Sequence, residues 1–194
     1  MLRLLSKALT FAHYTKLNLR GHMTFKDLGV DPALTKVLHA SRIDKPFQIQ
    51  KATLPDAIAG KDILGRGQTG SGKTLAFGLA LMTRLAGRTA AAMRPLALVL
   101  LPTRELAIQL SDVIAPLSRL VNLNSPVVAV GLSYSKQIQA LIRGVPIVVA
   151  TPGRLIDLIQ KKHIKLDAIE VTVLDEADQM ADMGFLPDVK RILG

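Results

Sequence analysis

Eight consecutive residues, Gly67 to Thr74, read GQTGSGKT and fit the pattern GxxxxGK followed by Ser or Thr. They stand between a short apolar run, KDILG (61 to 65), and a stretch with the apolar spacing of a helix. This composition suits the cradling of phosphates. Gly70 and Gly72 let the backbone approach closely, while the successive N–H groups of Gly67, Gln68, Thr69, Gly70, Ser71 and Gly72 and the following helix N-terminus present fixed positive dipoles. Lys73 adds a charge for the outer phosphates, and Thr74 offers a hydroxyl to Mg²⁺. A chance glycine-rich turn would rarely meet every constrained position in the right strand-to-helix setting.

A second cluster lies in VTVLDEADQM (171 to 180), where Asp175, Glu176 and Asp178 follow directly on a β-branched apolar run. Mg²⁺ is a hard cation that takes carboxylate, hydroxyl and water oxygens, so an Asp at a strand end beside a phosphate loop is suited to hold it, and Asp175 is that residue. Glu176, next to it, is expected to face an attacking water as base or orienter. An isolated acidic turn is usually no more than solvated. Here it coincides with a phosphate loop and a strand end.

These residues need a scaffold that brings strand ends together. KDILG, LALVLLP, PVVAV, PIVVAT and EVTVLD read as strands, and GKTLAFGLALMTRLAG, TRELAIQLSDVIAPLSRL, YSKQIQALIRG and GRLIDLIQKK alternate with them at helical spacing. Continuous apolar strands between amphipathic helices predict an α/β fold, a mainly parallel sheet with helices on both faces. Upstream, PALTKVLHASR and QKATLPDAIAG read as two more helices, and GRTAAAMRP (87 to 95) as a surface loop. Ligands of such sheets bind outside the carboxyl ends of the strands, which is where the unusual residues fall.

The bulk numbers set the class of partner. With 25 Lys+Arg against 15 Asp+Glu, the 194-residue chain carries a formal charge of +10, which favours a polyanion. There is no cysteine, so disulfides and Cys-ligated metals are excluded and a reducing compartment is compatible. No apolar stretch reaches the roughly 18 residues that a spanning helix needs, and no membrane partner is expected. Residues 1 to 22 hold Arg3, Lys7, Lys16 and Arg20 without an acid, four of the ten excess charges. They are expected to lie outside the fold, as a leader or an early start before Met23, with a cytoplasmic location, or a mitochondrial one if they are a transit peptide.

Taken together, Gly67 to Thr74 and the string DEAD at Asp175 to Asp178 resemble the DEAD-box RNA helicases. PTREL at Pro102 to Leu106 matches that family's motif Ia, TPGR at Thr151 to Arg154 its motif Ib, and Phe25 with PFQIQ ending in Gln50 resembles its Q motif. The resemblance runs from about residue 23 to the last residue and implies a RecA-like P-loop NTPase domain acting on ATP, Mg²⁺ and RNA. It assigns Phe25, Ile43 and Gln50, with the phosphate loop, to ATP. Pro102, Thr103, Arg104, Gly131, Thr151, Pro152, Gly153 and Arg154 are assigned to RNA, Lys73, Asp175 and Glu176 to catalysis, and Asp178 to coupling between domains.

The carried-over residues also have a physical reading. The Gln50 amide can both donate and accept, as the N6 and N7 edge of adenine requires, and Phe25 offers a stacking face, although a lone Phe is more often core. Pro152 suits a first helical position and Thr103 or Thr151 a cap; free N–H groups there, beside Arg104 or Arg154, make anion sites, and ordinary helix caps are the plain alternative. Few aromatics and no Trp argue for sequence-independent backbone binding.

The chain departs from the family pattern in several places. Arg42 and Ile43 replace a usual Gly-Phe, Phe47 a usual Thr, and Leu132 the second glycine after Gly131. The family's Ser-Ala-Thr strand and its second RecA-like domain, which supplies further arginines, are not found in these residues, so domain 1 is expected to be incomplete at its C-terminus and inactive by itself. A non-catalytic nucleotide- or RNA-binding module is the alternative function. A small-molecule kinase would share the loop but not PTREL, TPGR and DEAD.

Overall fold

The computed structural model describes residues 23–68, 70–123, 127–128 and 132–194. The basic leader, Thr69 and Gly131 lie outside the described residues. Four strands, β1 (Ala97–Leu100), β2 (Val127–Val128), β3 (Ile147–Ala150) and β4 (Val171–Leu174), form one sheet in the order β2-β3-β1-β4. All three pairings are parallel, with Leu100 level with both Ala150 and Leu174. Parallel neighbours require crossovers. These are α4 (Arg104–Leu120), α5 (Tyr134–Ile142) and α6 (Pro152–Gln160); α1 (Pro32–Ala40), α2 (Gln48–Ile58) and α3 (Lys73–Leu85) precede β1, and α7 (Ala177–Asp182) and α8 (Leu186–Leu193) follow β4.

Strand side chains alternate between two cores because successive Cβ atoms point to opposite faces. Ala97, Val99, Ile147 and Val149 join a cluster with Leu34, Leu54, Leu79 and Ile114 from α1 to α4. Leu98, Leu100, Val148 and Ala150 join Leu141, Leu155, Met180 and Val189 from α5 to α8. Helices thus cover both faces, as an α/β chain with continuous apolar strands requires. No described helix is long and apolar enough to cross a membrane.

One expected element is not formed. KDILG belongs to no strand, and Leu64 in it is 93% exposed. Among the described residues β4 pairs with β1 alone, so its outer edge is open. A cleft of about 620 Å³, lined by Ile63, Leu64 and Gly65 on one side and Val171 to Leu174 on the other, separates the two. An extended segment with no neighbour cannot share its N–H and C=O groups with a sheet, whatever its propensity.

Candidate functional site

The phosphate loop is built by its glycines. Gly70 and Gly72 have φ of +82° and +87°, which side chains with a Cβ rarely adopt, and Gly72 is the N-cap of α3. A Cβ on Gly72 would lie 2.6 Å from both Gln50 Nε2 and Phe47 Cδ2, so the loop is packed tightly against α2. Gln50 is 1% exposed; its Oε1 accepts from the Phe47 N–H at 2.8 Å and its Nε2 donates to Gly72 O at 3.2 Å. The amide that the resemblance assigns to adenine thus also ties α2 to the loop.

Lys73 Nζ donates to Gly67 O within the loop. Ser71 Oγ is buried with no hydrogen-bond partner, and a Cβ on Gly67 would come within 2.7 Å of it. An orphaned hydroxyl and a lysine turned onto its own loop's carbonyl fit a site whose polar groups are completed by an anion. Gln68 and Gly70 are exposed, and Thr74 is half-buried in the first turn of α3.

Asp175 leaves β4 with its N–H donating to Leu100 O at 3.0 Å, and it lines the same cleft as Lys73. Burial pushes its carboxyl above the usual carboxylate range and Glu176 adds to this, while the Glu176 N–H and Lys73 pull the other way. Glu176 sits in the left-handed region at φ 53° and ψ 46°, a strained conformation for a residue with a Cβ, and its carbonyl accepts from Met180 N at the start of α7. Asp178 is exposed one residue into α7. Asp175 with the Thr74 hydroxyl is a sparse oxygen set, which suits a cation that retains water and phosphate ligands.

The turns after β1 and β3 are neighbours because the strands are, but they differ in chemistry. Thr103 caps α4, its hydroxyl accepting from Leu106 N at 3.3 Å; Pro102 is buried and Arg104 exposed. Here the plain reading as a helix cap holds for the threonine. Thr151 occupies the N-cap of α6 with Pro152 at the helix start, yet makes no cap bond; it is 8% exposed and its Oγ1 has no partner. Gly153 is exposed, and Arg154 donates from Nη1 to Gln137 Oε1 at 3.3 Å. A helix N-terminus of free N–H groups, an unspent buried hydroxyl and an arginine make the β3 turn the better anion site.

Two other residues expected at the ATP site differ in exposure. Phe25 is 3% exposed within the first core, so its ring is packing and the stacking face is covered. Ile43 is exposed, its N–H donating to Leu38 O. The aromatic against the loop is Phe47, 58% exposed and beside Gly72. Its only sequence signal is that it stands where the family pattern has Thr.

Fold and site together define a RecA-like P-loop domain. The family model for DEAD/DEAH box helicases matches residues 47–194, and the chain belongs to that family. It is 44% identical over 176 residues to the ATP-dependent RNA helicase RhlB of Xanthomonas oryzae pv. oryzae, covering 88% of this chain and 31% of that protein. It is 46% identical over 173 residues to the RNA helicase CrhR of Synechocystis sp., covering 88% and 34%, and 41% identical over 176 residues to RhlB of Sodalis glossinidius, covering 87% and 42%. The chain thus spans between about a third and two fifths of the curated relatives it matches.

Proposed function

We propose that residues 23 to 194 are the first RecA-like lobe of an ATP-dependent RNA helicase, binding ATP with Mg²⁺ at the phosphate loop and the RNA backbone at the β1 and β3 turns. The observation that carries this is the convergence of Lys73 and Asp175 on one cleft, with Asp175, like Thr103 and Thr151, following on the carboxyl end of a strand of the one parallel sheet. The Gly67–Gly72 backbone and Lys73 bind the phosphates, and Gln50 holds the loop while offering its remaining capacity to adenine. Thr74 and Asp175 would hold Mg²⁺, Asp175 partly through water, and the metal would offset charge on the phosphate oxygens. Glu176 accepts a proton from the water that attacks the terminal phosphorus. Asp178 couples this state to a second domain, whose closure on this lobe bends RNA and opens a short duplex.

The test is binding of ATP–Mg²⁺ to wild type and Lys73→Ala by calorimetry. A loss of affinity of tenfold or more, on the order of 1.4 kcal/mol, is expected; equal affinity overturns the assignment. For the whole helicase, RNA-stimulated hydrolysis should be found with a longer chain carrying the second domain and not with residues 23 to 194 alone.

A further inference from the structure

Arg154 is held in an unusual way. Its Cζ lies 4.8 Å from the centroid of the Tyr134 ring, and its Nη1 donates to Gln137 Oε1 at 3.3 Å. Tyr134 and Gln137 are three residues apart at the start of α5 and so share a helix face. The ring is itself met edge-on by His163, at 6.2 Å and 77°. Lys161 Nζ also approaches the ring at 5.0 Å, but it is paired with Asp157 at 2.8 Å. No ion pair among the described residues includes Arg154; the nearby Asp157 carboxylate feels its charge but is bonded to Lys161.

The distinction matters chemically. A carboxylate would orient a guanidinium and cancel its charge, whereas an aromatic face and an amide oxygen orient it and leave the charge for an incoming anion. Holding a flexible arginine before its ligand arrives also removes part of the ordering cost of binding. We propose that Tyr134, with Gln137, is a positioning residue that presents Arg154 to a nucleic-acid phosphate at the β3 turn. This rests on the backbone-binding reading of that turn.

The experiment measures binding of a single-stranded uridine oligonucleotide to the 194-residue chain across a salt series by fluorescence anisotropy, with melting followed in parallel. Tyr134→Leu should weaken binding roughly two- to fivefold and flatten the salt dependence towards that of Arg154→Ala, by up to roughly 0.7 in slope. Tyr134→Phe should behave as wild type. Added to Arg154→Ala, Tyr134→Leu should cause no further loss, a non-additivity that general loosening of α5 would not produce. If Tyr134→Leu does not fold, Tyr134→Met makes the same comparison. Additive losses, or wild-type binding by Tyr134→Leu alongside weakened Arg154→Ala, overturn the positioning role. Wild-type binding by Arg154→Ala instead overturns the reading of the turn itself, and the proposal with it.

Discussion

Gln50 and Gly72, 22 residues apart, are joined by a hydrogen bond from the Gln50 side-chain amide to the Gly72 carbonyl. Gln50→Ala removes the partner of that carbonyl and of the Phe47 N–H in a buried place. Each orphaned group costs about 1–3 kcal/mol, and the variant should melt lower by at least roughly 4 °C, with weaker ATP binding. Circular dichroism and calorimetry check both; an unchanged melting temperature would show that the amide does not tie the loop in solution.

Asp175 makes a prediction in pH. Its carboxyl is raised in the folded chain by burial, so the folded state holds the proton more tightly than the unfolded one. The resulting stability is present below the unfolded value, near pH 4, and is lost as pH rises through the raised folded value. At neutral pH the ionised carboxylate is a cost. Asp175→Asn should therefore melt higher by on the order of 1–4 °C at pH 7, with the difference shrinking towards acid. Protons and Mg²⁺ compete for the same oxygens, so Mg²⁺-dependent ATP binding should fall as pH drops through that raised range and be lost in the variant. Lower stability of Asp175→Asn at neutral pH would contradict this.

The two threonine turns should separate under the same substitution. Thr103→Val removes a cap bond and should cost about 0.5–2 kcal/mol in chemical denaturation, with little effect on RNA. Thr151→Val replaces a buried, unpartnered hydroxyl with a methyl of similar shape, so stability should stay the same or rise. RNA affinity should fall roughly tenfold or more, as for the loss of one hydrogen bond to a charged group. The opposite pattern would remove the β3 turn from the RNA site.

Much of this could be read from residue order. Strands β1, β3 and β4, the helix starts at Pro32 and Pro152 and the Thr103 cap follow from local chemistry that neighbours along the chain decide. KDILG did not become a strand because apolar composition reports what a segment can bury, not whether a partner stands beside it. Phe25 by itself reads as core more readily than as a platform, and one aromatic in a sequence does not say which face is covered. The link between Tyr134 and Arg154 joins residues of different helices, and no periodicity records it.

The open edge of β4 should be visible in amide exchange. Residues Leu98 to Leu100, in a strand flanked on both sides, should exchange roughly tenfold or more slowly than Thr172 to Leu174. Supplying a following strand, as the family resemblance implies, should slow the β4 amides on the open side and bring Ile63 and Leu64 out of solvent. Equal protection of β1 and β4 in the 194-residue chain would mean that the edge is already covered.

Val148 and Val149 are bonded neighbours, yet the first packs with α5 to α8 and the second with α1 to α4. The sheet is a party wall: the phosphate loop is anchored by α2 and α3 on one side of it, and Tyr134 and Arg154 by α5 and α6 on the other. The two candidate sites have separate foundations and share only the wall's end. A void opened beneath one tenant leaves the other's floor intact, so the two affinities can drift independently, and strands β1 and β3 are where a change must be felt by both.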